Sequence, residues 1–90
     1  MKKQIWKFEV VGNNLPINMP KGADILTIQE QKEKCFIWAL VDPQNELEER
    51  FFELYGTGVD IPCDMGIDRY YINTVQFDGG DLVFHLFERL

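Results

Sequence analysis

Between Lys34 and the Asp42-Pro43 pair run seven consecutive apolar residues, Cys35-Phe36-Ile37-Trp38-Ala39-Leu40-Val41. A membrane-spanning helix needs roughly 20 such residues, so the run is too short to cross a bilayer. Its aromatic and β-branched content, closed by a proline turn, reads as a strand. A strand apolar at every position has two faces to hide. It is predicted to lie at the centre of a sheet covered on both sides, or in a subunit interface.

The flanking segments follow the same period. In Gln4–Val11, Trp6, Phe8 and Val10 share one face while Lys7 and Glu9 take the other. Leu15–Pro20 is extended because each proline biases its predecessor away from helix. Asp24–Gln31 reads as a strand, with Lys32-Glu33-Lys34 as a polar hairpin tip. Arg69–Phe77 and Leu82–Glu88 are strands joined by Asp78-Gly79-Gly80-Asp81, where glycine supplies positive φ. Gly12-Asn13-Asn14 reads as a turn, Val59–Pro62 as extended, and Cys63–Asp68 as a loop or one helical turn. The prediction is a single all-β domain over residues 1–90. It is a small sandwich or partly open barrel of about six strands, with room for one short helix.

That helix would come from residues 46–55. Asn45 with Glu48 resembles a capping box, and Leu47, Phe51, Leu54 and Tyr55 fall on one helical face. The same residues alternate as a strand, with Glu49, Phe51, Glu53 and Tyr55 against Arg50, Phe52 and Leu54. Periodicity leaves both open, with a slight lean to helix.

The inventory excludes several chemistries. There is no serine for a serine hydrolase and a single histidine, His85, so a multi-histidine metal site is out. No phosphate-binding GxxxxGK[ST] or GxGxxG pattern occurs. Nine Lys and Arg against fifteen Asp and Glu leave a net charge of −6. Residues 1–34 carry +2 and residues 35–90 carry −8. An acidic chain does not wrap a phosphate backbone, so direct nucleic-acid binding is not expected. Lys7 and Glu9 interrupt the N-terminal segment before an apolar run develops. Neither a signal peptide nor a membrane span is expected, and a cytoplasmic location is the default. Cys35 and Cys63 are then expected to be reduced, semi-buried and unpaired.

Several segments, taken together, carry a resemblance: Leu15–Leu26 (LPINMPKGADIL), Ile37–Pro43 (IWALVDP), Gly56-Thr57-Gly58 followed by Ile61-Pro62, Tyr71–Val75, and Leu82–Glu88 (LVFHLFE). In order and spacing they resemble a family of short uncharacterised proteins of bacteriophages and of bacterial genomes carrying phage DNA. The family brings no activity or catalytic residue with it. In such relatives the segment before Gly-Thr-Gly is strand-like, which favours strand over residues 47–55. The resemblance implies a setting in which small phage proteins act by stoichiometric binding, in the host cytoplasm.

The candidate ligand site is Tyr55-Gly56-Thr57-Gly58 with Arg50, Arg69 and Tyr70. Backbone N–H groups of the turn would face a phosphate, the arginines would add charge, and a tyrosine (Tyr71 is another) would stack on a base. The plainer alternative is an ordinary loop beside tyrosines of the core. His85, between Phe84 and Leu86, reads as a semi-buried histidine with one hydrogen bond. The run Glu46, Glu48, Glu49, Glu53 reads as a solvated face or, more sharply, as a patch imitating nucleic acid. Twelve aromatic side chains exceed what one small core readily hides, which points to self-association or a partner surface. The expectation is a non-enzymatic homo-oligomer without metal or cofactor, a counter-defence factor that sequesters a nucleotide-like signal. The alternatives are an acidic inhibitor of a host protein and a structural virion accessory.

Overall fold

The computed structural model describes residues 2–12, 16–63 and 66–90. Seven strands form two antiparallel sheets: β1 (Gln4–Val10), β2 (Pro16–Pro20), β3 (Asp24–Gln31), β4 (Lys34–Val41), β5 (Leu47–Gly56), β6 (Arg69–Phe77) and β7 (Leu82–Arg89). Sheet A has the order β1-β4-β3 and sheet B the order β2-β5-β7-β6. The all-β expectation holds, with one strand more than expected. The described residues contain no α-helix, only a 3₁₀ turn over Asp78–Gly80. The expected turn at Gly12-Asn13-Asn14 and the loop at Cys63–Asp68 lie partly outside the described residues.

The apolar run is the middle strand of sheet A. Cys35, Ile37, Ala39 and Val41 point inward and are buried, three of them completely. Full burial of an aliphatic side chain contributes about 1.5–3 kcal/mol. Sheet B answers with Met19, Phe52, Val75 and Leu86. The other face of β4 carries Phe36, Trp38 and Leu40, each half-buried. The Lys7 ammonium lies 4.6 Å from the Phe36 ring centroid and 5.4 Å from that of Trp38. On that face the Lys7 ammonium sits over the two rings, and no further layer of the described residues covers them.

Residues 47–56 form a strand. Alternation sends Phe52 and Leu54 inward, and β2 and β7 pair with it on its two sides. Two ladders of hydrogen bonds outweigh the local helical pattern, which supplies only weak propensity.

The β3–β4 tip places Lys32 and Glu33 at φ 54° and 64°. Those angles match the twist of a two-residue hairpin, yet neither residue is glycine or asparagine. The Glu33 N–H donates to the Glu30 carboxylate at 2.6 Å, which supports the turn.

β5 and β6 both flank β7 and run in the same direction. Residues 57–68 must therefore carry the chain back along sheet B. The Arg69 guanidinium donates to the Pro62 carbonyl at 2.6 Å, and the Leu90 N–H to the Asp68 carbonyl at 2.8 Å. At the opposite lateral edge of sheet B, β2 begins and ends with a proline.

Candidate functional site

The residues nominated from sequence fall in three places. Arg50 and Tyr70 line a cleft where β3 faces β6. Each of these strands carries a bulge at that level, between Ile25 and Thr27 and between Tyr71 and Asn73. A bulge bends its strand locally. Two facing bulges leave a cleft of about 280 Å³, lined also by Asp24, Leu26, Tyr71 and Glu88. Just beyond the bulges the strands meet again, with the Asn73 amide donating to the Thr27 hydroxyl at 3.3 Å.

Arg50 is committed inside this cleft. Its Nε and Nη2 donate to the two Glu88 oxygens at 2.6 and 2.8 Å, a bidentate pair. Its Nη1 donates to the Ala23 carbonyl at 2.6 Å, which ties β5 to the β2–β3 turn. The hydrogen bond to Glu88 holds the guanidinium pKa above its ordinary value, against burial, and the charges of Glu88, Glu48 and Asp24 act in the same direction. Three carboxylates around one guanidinium leave a local excess of two negative charges. Tyr70, opposite Glu88 in the register, stands at the rim and is 64% exposed, whereas Tyr71, opposite Phe87, turns its ring to the outer face of sheet B. A phosphate finds no free cation here. A lysine or arginine side chain finds carboxylates and the Tyr70 ring.

Arg69 lies on the other face of sheet B. Phe51 and Arg69 both stand opposite Arg89, so Arg50, next to Phe51, points the opposite way. Arg69 Nε donates to Glu53 Oε1 at 2.6 Å, with the two side chains only 11% and 5% exposed. With its bond to Pro62, Arg69 fastens residues 57–62 to the sheet. The hydrogen bond to Glu53 raises the Arg69 pKa. Burial first, then the Glu53 carboxylate, push the Tyr55 phenol above its usual value.

The acidic run does not form one face. Glu53 is buried against Arg69, Glu48 turns toward Arg50, and Glu46 stays at the surface, 3.8 Å from Lys21.

Tyr55, Thr57 and Gly58 sit farther along the outer face of sheet B. The Thr57 N–H donates to the Val83 carbonyl at 3.3 Å, and the Val59 N–H to the Gly56 carbonyl at 3.1 Å. Those two amides hold the turn and are not presented to a ligand. Gly58, at φ 84°, provides the reversal. His85 lies within 2.9 Å of Thr57 Oγ1 through Nε2 and within 2.9 Å of Thr74 Oγ1 through Nδ1. Thr74 Oγ1 is 2.7 Å from the Tyr71 hydroxyl. The histidine therefore has two hydrogen-bond partners, not the one expected, and from β7 it links β6 to the residue that follows β5.

Cys35 is buried, and desolvation raises its pKa to about 11. Cys63 is exposed, contrary to the semi-buried expectation. Both are free thiols.

Sequence reasoning missed Asp24 and Glu88 as partners of Arg50. Glu88 is 38 positions away from Arg50 and carries no local signal of that contact.

The chain belongs, over residues 1–90, to the family DUF7352, a domain of unknown function. No curated protein and no solved structure matches it.

Proposed function

We propose that this is a non-enzymatic binding protein that receives a lysine or arginine side chain of a protein partner in the cleft between the β3 and β6 bulges. The observation that supports it is Arg50, neutralised among Glu88, Glu48 and Asp24 beside the exposed Tyr70. A tyrosine at the rim of a small pocket is a residue type that anchors protein interfaces. A cation between the Tyr70 ring and a carboxylate gains both cation–π and ionic contact. Of the readings raised by the sequence, the acidic inhibitor of a host protein fits this arrangement best. Nucleotide capture calls for free cationic donors, and both nominated guanidinium groups are already paired with carboxylates. The phage-encoded, host-cytoplasmic setting belongs to the same proposal and rests on the sequence resemblance.

Calorimetry with short lysine- and arginine-bearing peptides, alongside a panel of cyclic and ADP-ribose-type nucleotides, tests it. Peptide binding should weaken as salt rises and be lost in Tyr70→Ala and Asp24→Asn. Absence of peptide binding, or nucleotide binding abolished by Tyr55→Ala or by substitution at Thr57, overturns it.

A further inference from the structure

The four lateral edges of the two sheets are not equivalent. β2 begins and ends with proline, which removes ladder donors from that edge. β3 and β6 are both bulged and pack against one another. β1 has neither device. It contains no proline, it pairs with β4 from Gln4 to Val10 without a register shift, and it ends sheet A. An unguarded edge strand is a template for another strand.

The side chains of β1 indicate which strand. Lys7 and Glu9 lie exposed on the outer face; Trp6 and Phe8 lie half-buried on the inner face. Ile5 and Val11, at the two ends, are 61% and 74% exposed. We propose that β1 pairs antiparallel with β1 of a second copy of this chain, about a two-fold axis through Phe8, joining two sheets A into one continuous sheet.

This register is selected by charge and by apolar matching together. It sets Lys7 against the partner's Glu9 and Glu9 against the partner's Lys7. Phe8 meets the partner's Phe8, Trp6 meets the partner's Val10, and Ile5 meets the partner's Val11. An axis through Lys7 sets two ammonium groups face to face, and an axis through Glu9 sets two carboxylates so. Like charges directly opposite are destabilising, whereas opposite charges and aromatic pairs stabilise. The Phe8 axis also covers both exposed aliphatic ends of the strand. The interface is isologous, the commonest symmetry for a homo-oligomer. It leaves the β3–β6 cleft open in each copy, so it stands independently of the proposed function.

Sedimentation equilibrium of the intact chain tests it with Lys7→Glu, Glu9→Lys and the double exchange. Both side chains are exposed, and circular dichroism checks that each variant is folded. The expected result is a dimer whose dissociation constant rises about tenfold or more in either single variant. The double exchange, which restores opposite charges, returns it toward the parent value. Within its own copy Lys7 also lies over Phe36 and Trp38 and donates to Gln31 Oε1 at 3.1 Å, so recovery in the double variant is the decisive readout. A monomeric parent, a dimer insensitive to the single reversals, or no recovery on exchange each overturns the proposal.

Discussion

Sheet A and sheet B are held by different physics. The inner face of sheet A is apolar, with Ile28, Cys35, Ile37, Ala39 and Val41 buried and Trp6 and Phe8 half-buried beside them. Its one charged residue over a ring, Lys7, is on the surface. Sheet B places Phe52, Val75 and Leu86 in the same core but also carries both buried ion pairs, one on each of its faces. Arg50 reaches the β2–β3 turn through Ala23, and Arg69 reaches the 57–68 connection through Pro62. Each guanidinium thus also donates to a backbone carbonyl of a loop. Apolar burial specifies how the layers stack, while the ion pairs specify where loops attach.

Substitutions should separate the two kinds of cohesion. The largest loss is expected from Ile37→Ala in sheet A, about 3–4 kcal/mol in urea unfolding, since the side chain is fully buried. Its effect should not change with salt. Arg50→Ala leaves the Glu88 carboxylate largely buried without its partner. Because the cleft is open to water, the loss is placed below that of a closed pair, at about 2–3 kcal/mol. The paired change Arg50→Met with Glu88→Leu should recover most of it, because a buried ion pair is often replaceable by apolar groups. If the paired variant is no better than Arg50→Ala, packing rather than charge dominates sheet B too.

Arg69→Ala should act more locally. Limited proteolysis within residues 57–62 is expected to accelerate, with a smaller change in melting temperature than Arg50→Ala produces. Uniform destabilisation without loop cleavage would assign Arg69 to the core and not to the loop.

Alkaline pH acts on sheet A through Cys35 and on sheet B through Tyr55, whose phenol is also raised by burial. The Cys35 thiol is raised from 9.0 to about 11 by burial. The folded form therefore keeps a proton that the unfolded chain releases. Stability should be level below pH 9 and fall as pH rises toward about 11. Cys35→Ala should reduce that fall, as read from urea midpoints. The smallest effect is a gain: Glu33→Gly relieves a positive φ at the sheet A hairpin and should add about 0.5–1 kcal/mol.

The same contrast explains what was legible in the sequence. The alternation of Trp6, Phe8 and Val10 and the unbroken run from Cys35 to Val41 record apolar burial directly, and sheet A follows them almost residue for residue. β5 was ambiguous because Phe51, Leu54 and Tyr55 satisfy both periods, and pairing with β2 and β7 decides it. The nominated site was scattered because ion pairing is non-local. Arg50 and Arg69 are 19 positions apart and alike in composition, yet only the register of β5 and β6 on β7 shows that they point to opposite faces. The cleft depends on two bulges, and nothing in Ile25–Thr27 or Tyr71–Asn73 departs visibly from an ordinary strand.

The position of β7 in sheet B bears on how the chain reaches its native state during synthesis. The last strand of the seven is an interior one, bonded to β5 on one side and β6 on the other. While the nascent chain is still emerging, sheet A can assemble from strands already made, but β2 and β5 have no route to β6. The second layer closes only once β7 is available, because β5 and β6 are joined only through it.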